Sequence, residues 1–335
     1  MSPSITVHAP GRVNLIGDHT DHCGGLALPC AIDLGITITG TRAESIELLS
    51  TIDGGRVSMS LPVDEFPDEP RWGRYVAAVA NQCPDGLHGR IDSDLPAGAG
   101  LSSSAALEIA LALAFGYDGP PMDLARLGQR AEHLATGTPT GLLDQIAITH
   151  AVAGHAACID FTTLAVEQVA VPDDLDIVVV HSGQERTVES SAYGERVEAC
   201  TRATALIGPL PGATADDIEA LDDPVLRRRA RHVRTETARV RAAVEALRVG
   251  DRHTLGAAMT ESHVSLRDDF EVSTPVLDDL VDRLLAVDGV TGARLTGAGF
   301  GGCVVAVGER GSVPDPTAFT GRGWIVRPSG AARVL

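Results

Sequence analysis

The stretch Leu95-Pro96-Ala97-Gly98-Ala99-Gly100-Leu101-Ser102-Ser103-Ser104-Ala105 constrains this chain more than any other. It runs without a break into Ala106-Leu107-Glu108-Ile109-Ala110-Leu111-Ala112-Leu113-Ala114-Phe115, a run dominated by strong helix formers. A small-residue loop therefore closes on a helix N-terminus. Gly98 and Gly100 let the backbone approach a ligand with no Cβ in the way, the three serines offer hydroxyls, and the first helical amides have no intrahelical partner. Such a site binds phosphate. A tight turn ahead of a buried core helix explains the same residues, because the helix is apolar nearly all round. Both readings stand at this point.

One absence narrows the chemistry. All 27 basic residues are arginine and the chain has no lysine, which argues against a Walker-type phosphate loop, a protein kinase and a Schiff-base enzyme. A nucleotide bound here must have its charge met by backbone amides, serine hydroxyls, Mg²⁺ and arginine. The 335 residues, 44% hydrophobic and 21% charged, are enough for two domains. A net charge of −18 repels polyanions, so neither nucleic acid nor an anionic membrane is an expected partner, and a small molecule is. Six scattered cysteines, no basic-then-apolar leader and no apolar run near the ~20 residues of a membrane span predict a reduced, cytoplasmic setting. Oligomeric state is not legible.

Along the chain, Ile5 to Ala9 alternates as a strand, and Arg12 follows beside Gly11. Asp18-His19-Thr20-Asp21-His22-Cys23 is the densest polar cluster of the N-terminal third. His19, Asp21, His22 and Cys23 are all metal-capable, yet their spacing matches no common zinc pattern and four ligands so close can hardly all face one ion. A solvated loop is a second reading. Recognition of sugar hydroxyls, which need buried carboxylate and imidazole partners, is a third.

Met122 to Leu134 reads as an amphipathic helix with Glu132 near its end, where an exposed surface carboxylate is the plain alternative. Thr138-Pro139-Thr140-Gly141 breaks the chain before Leu142 to Ile148, whose first turn holds Asp144, in a position that also suits simple capping. His155 to Leu164 and Leu175 to His181 read as strands, and Gly208 to Gly212 as a loop. The arginine-rich stretch from Asp223 to Val249 lacks aromatic interleaving and reads as a solvated amphipathic helix rather than a nucleic-acid binder. A helix around Thr274 to Ala286 and strands near Arg294-Leu295 and Cys303 to Val307 complete an α+β pattern.

Gly11-Arg12-Val13-Asn14-Leu15-Ile16-Gly17-Asp18-His19-Thr20-Asp21 resembles the galactokinase signature. Pro96 to Ala105 resembles the serine-rich ATP loop of the wider superfamily that also holds homoserine, mevalonate and phosphomevalonate kinases, and Leu295 to Cys303 resembles its C-terminal glycine motif. Further likeness at Trp72 to Val76, at Gly141 to Gln145 and from Ser262 to Ser273 spreads it over nearly the whole chain.

The resemblance implies a two-domain α+β small-molecule kinase, residues 1–182 and 183–335, with its active site in the interdomain cleft. It implies ATP and Mg²⁺, and phosphorylation of the anomeric hydroxyl of galactose. Arg12 and Asp144 become the catalytic pair. Asp18, His19, Thr20, Asp21, Gly141 and Tyr193 are expected to bind the sugar; Gly98, Ala99, Gly100, Leu101, Ser102, Ser103 and Ser104 are expected to hold the nucleotide. Ser104 and Glu132 are expected on the metal. The residues alone do not locate the adenine pocket: Trp72 is a candidate wall for it or, in a chain only 3% aromatic, a plain core residue.

The chain departs from galactokinases at the sugar end. They carry glutamate at Asp18, tyrosine at His22 and asparagine at Cys23, and the asparagine and histidine usual before Tyr193 appear here as His181 and Arg186. A carboxylate shortened by one carbon withdraws by about 1.5 Å, so Asp18→Glu is expected to strengthen galactose binding. A kinase for a related sugar or cyclitol is the same-class alternative. A non-catalytic sugar sensor is the other, and the intact Ser102 to Ala106 segment argues against it.

Overall fold

The alternation at Ile5 to Ala9 opens an 11-residue strand whose register shifts between Pro10 and Arg12, re-aiming the residues that follow. The computed structural model describes residues 4–96, 99–138, 140–184 and 190–335. Its strands are β1 (Ser4–Asn14), β2 (Leu26–Ala27), β3 (Pro29–Ala43), β4 (Ser45–Ser50), β5 (Arg56–Ser60), β6 (Gly86–Ser93), β7 (His155–Asp160), β8 (Ala165–Ala170), β9 (Leu175–His181), β10 (Val290–Thr296), β11 (Cys303–Glu309), β12 (Gly323–Val326) and β13 (Arg333–Val334). Its helices are α1 (Trp72–Ala80), α2 (Ser103–Ala114), α3 (Pro121–Thr136), α4 (Leu143–Thr149), α5 (Ser190–Ile207), α6 (Ala215–Glu219), α7 (Pro224–Val249), α8 (Arg252–Asp268) and α9 (Pro275–Leu285).

Three sheets organise these elements. A six-stranded sheet has the order β13-β1-β3-β6-β4-β5, a four-stranded antiparallel sheet the order β10-β11-β9-β12, and β2, β7 and β8 form a third. One core packs α1, α2 and α3 against the first sheet, and α2 is buried from Ala105 to Ala112, as an all-round apolar helix must be. A second core packs α5, α7, α8 and α9 on the four-stranded sheet. The fold is thus α+β with two cores. β9, which precedes residue 182, is hydrogen-bonded to β11 and β12, and β13 near the end of the chain returns to β1.

The arginine-rich helix α7 starts on an Asp223 cap and Pro224, and ends at Gly250 in the left-handed region. Arg228, Arg229 and Arg231 pair with Glu271, Glu219 and Asp269, so this charge is internally matched. The inward face of α7 buries Arg229 and Thr237 and, completely, His232 and Glu236. The last two reach the Gly17–Asp18 turn.

Candidate active site

The two cores meet along a cleft of about 1070 Å³. Arg12 on β1 and Asp144 in the first turn of α4, far apart in sequence, form a bidentate pair across it: Nε to Oδ1 at 2.7 Å and Nη2 to Oδ2 at 2.7 Å. Nη1 of Arg12 donates to the Gly100 carbonyl at 2.7 Å, and its backbone amide donates to the Leu101 carbonyl at 3.1 Å. The serine loop is therefore clamped to the charged pair. Gly11 makes this possible, because a Cβ there would stand 2.7 Å from the Leu101 carbonyl oxygen. Ser102, at φ 61°, stands at the N-cap position of α2 and donates its hydroxyl to Asp144 Oδ2, with no side-chain bond to the helix amides.

Beside this pair lies an acidic pocket. Ser104 Oγ is 3.1 Å from Glu132 Oε1, while Thr140 Oγ1 and Gln145 Nε2 each donate to Glu132 Oε2 at 3.0 Å. Gln145 Nε2 also reaches Glu108 Oε2 at 3.2 Å. Burial, then the Asp144 charge, raises the Glu132 carboxyl above its ordinary range. Glu108 is fully buried and pushed well above that range by burial and by Glu132, and its Oε1 has no partner among the described residues. Hard oxygens at this spacing suit Mg²⁺, which a concentration of desolvated negative charge would attract.

The opposite end is quieter. His19, at φ 63°, stacks on Phe270 with ring centroids 4.5 Å apart, and burial holds its imidazole well below the usual range, hence neutral. Its buried Nε2 has no hydrogen-bond partner among the described residues. Asp21 faces Gly141 so closely that a Cβ at that glycine would fall 1.4 Å from Asp21 Oδ2. Tyr193 sits 5.8 Å from the His19 ring and 6.2 Å from the His22 ring, its phenol held protonated by burial. Asp18 is buried: Oδ2 pairs with Arg294 Nη2 at 2.5 Å and Oδ1 accepts the Gly297 amide at 3.2 Å. Desolvation raises its carboxyl despite the Arg294 charge.

Arg12, Asp18, His19, Asp21, Gly100, Ser102, Ser103, Ser104, Glu132, Gly141, Asp144 and Tyr193 all line the one cleft. Three expected site residues do not. Thr20 is fully buried with its hydroxyl turned to the Gly17 and Leu26 carbonyls, at 2.9 and 2.8 Å, so it braces the turn instead of meeting a sugar. Ala99 and Leu101 are buried in the core and shape the loop from behind. Gly98 and Arg186 lie outside the described residues. Trp72, the candidate adenine wall, does not line the cleft and donates its indole N–H to Asp53 at 3.2 Å, whereas Arg71, Arg74 and Tyr75 of the same segment do line it. Residue order alone does not single out Arg294 or the contacts of Glu108 and Gln145. A lone charge inside an apolar run was the available signal for the first two.

The galactokinase galactose-binding signature matches residues 1–42, the N-terminal domain of GHMP kinases residues 73–151, and their C-terminal domain residues 243–315. Human galactokinase is 39% identical over an alignment covering 93% of this chain and 86% of that one, and the bovine enzyme is 38% identical over the same shares. Lactococcus lactis galactokinase, solved with galactose, superposes with a TM-score of 0.89 at 29% identity, covering 99% of this chain and 95% of that one. Methanococcus jannaschii mevalonate kinase shares the fold at 20% identity and a TM-score of 0.71, over 98% and 99% of the two chains. The chain belongs to the galactokinase family of GHMP kinases.

Proposed function

We propose that this protein transfers the terminal phosphoryl group of ATP to the anomeric hydroxyl of galactose, giving galactose 1-phosphate. The observation that carries the reading is the bidentate Arg12–Asp144 pair, tied to the serine loop and facing the same cleft as His19, Asp21 and Tyr193. Asp144 accepts the anomeric hydroxyl, orients its oxygen and is the nearest acceptor for its proton. Arg12 fixes the Asp144 carboxylate plane and offers positive charge where negative charge grows during transfer. Ser103, Ser104 and the first amides of α2 hold the polyphosphate, and Ser104 with Glu132 holds Mg²⁺. Bound MgATP supplies the transferable group and the charge neutralisation typical of phosphoryl transfer. At the far wall, the orphaned Nε2 of His19, the Asp21 carboxylate and the Tyr193 phenol offer partners to sugar hydroxyls.

A second reading, a kinase for a related sugar or cyclitol, is favoured by one observation: both carboxylate oxygens of Asp18 are already engaged inside the protein. Sugar-dependent ADP release from MgATP separates the readings. Galactose is expected to turn over ahead of N-acetylgalactosamine, arabinose, galacturonate and an aminocyclitol. Turnover confined to another acceptor would replace the galactose assignment.

A further inference from the structure

His22 and Cys23 close the turn beside Asp21, and Cys200 faces them from the middle of α5; the proposed reaction uses none of the three. Their ligand atoms all lie within 4.8 Å of one another. Cys200 is 1% exposed, and all six cysteines are free thiols. His22 Nδ1 lies 3.2 Å from Asp21 Oδ1, while its Nε2 is buried without a hydrogen-bond partner among the described residues.

We propose that His22, Cys23 and Cys200 form a zinc site that fastens α5 to the sugar-binding turn. Two thiols and an imidazole are a donor set for a borderline-soft ion and a poor one for Mg²⁺, so the catalytic metal does not compete for it. A tetrahedral zinc ion, about 2.3 Å from sulfur and about 2.0 Å from nitrogen, spaces its ligand atoms about 3.5–3.8 Å apart, so shifts of about 1 Å close the group on an ion. Three protein ligands leave a fourth position for water. Asp21 supplies the outer support that zinc-bound histidines receive, a carboxylate against the other ring nitrogen.

The consequence lies at the sugar end. α5 carries Tyr193, and the turn carries His19 and Asp21, so an ion joining the two elements pre-orders three residues that line the cleft. Resting on the sugar-kinase reading, zinc lowers the sugar KM severalfold and leaves kcat and the ATP KM unchanged.

The test uses the full-length protein, reduced, anaerobic and stripped of metal by a chelator, titrated with Co²⁺ and then Zn²⁺. One Co²⁺ per chain is expected to give thiolate-to-cobalt charge-transfer absorption that one equivalent of zinc abolishes. Cys23→Ala and Cys200→Ala, checked for native circular dichroism, are expected to lose that absorption, and Cys200→Ala to keep the activity of the metal-free wild type. Cobalt binding without charge transfer, or with undiminished charge transfer in both variants, overturns the site. An intact site with an unmoved sugar KM overturns the fastening. Because the cobalt spectrum needs no turnover, this inference and the sugar-kinase reading fail separately.

Discussion

The two ends of the cleft solve opposite problems. At the transfer end one charged pair opens on the cleft: the Asp144 side chain is 30% exposed, and its buried partner Arg12 is oriented by a carbonyl as well as by the carboxylate. At the sugar end charge is buried and neutralised inside the protein: Arg294 is fully buried against Asp18, and two histidines are held neutral by desolvation. The first arrangement keeps an electrostatic device available to a transferring group. The second keeps a shape, because Asp18 and Arg294 satisfy one another and leave His19 Nε2, Asp21 and Tyr193 to face the cleft. On the proposed function, chemistry is thereby separated from selectivity, and substitutions at the two ends should differ in kind.

The largest effect is expected at the transfer end. Asp144→Ala should cut kcat by roughly 10²–10⁴-fold while calorimetric ATP binding stays nearly intact. Comparable loss of both would erase the distinction between the ends. Next, Arg294→Met should cost about 3–5 kcal/mol in urea unfolding, because it strands the Asp18 carboxylate in the core. Arg294→Met with Asp18→Asn should be more stable than the single variant, a recovery that simple loss of packing would not give. A sugar KM raised about tenfold to a hundredfold, with the ATP KM unchanged, is expected for Gly141→Ala, whose new methyl displaces Asp21. An unchanged sugar KM would remove Asp21 from the sugar end.

The smallest effect is a pH dependence. His232 lies between the Asp18 carbonyl at 3.1 Å and Ser265 Oγ at 2.9 Å, and burial lowers its pKa to about 4. Below the unfolded value of 6.5 the unfolded chain binds a proton that the native one refuses, so stability is lost as pH falls towards 4. The loss is up to about 1.4 kcal/mol per pH unit, and neutral His19 adds in the same direction. Thermal melting of His232→Gln should be flatter over that interval than that of the wild type.

Much of the transfer end was legible from residue order because it is built on local patterns. The serine loop, the helix behind it and the short helix bearing Asp144 each follow from small residues, apolar periodicity and a chain break. Glu132 needed more. An amphipathic helix shows which face it buries, while the approach of Ser104 to Glu132 depends on how α2 and α3 pack. A hydroxyl in a polar turn serves a ligand or its own backbone equally well, and at Thr20 the position of the Leu26 carbonyl turns it to the backbone.

By itself the sequence determined the local elements, the loop feeding α2 and the alternation that makes β1 a strand, and its lack of lysine leaves arginine as the strong side-chain cation. Tertiary structure decided which distant groups meet. Arg294 finds Asp18 across 276 residues, and Cys200 completes a ligand set that the spacing of His19 to Cys23 had argued against. The physical reason is range: periodicity and capping act over a few residues, whereas a buried charge takes whichever partner the packing of the two cores presents.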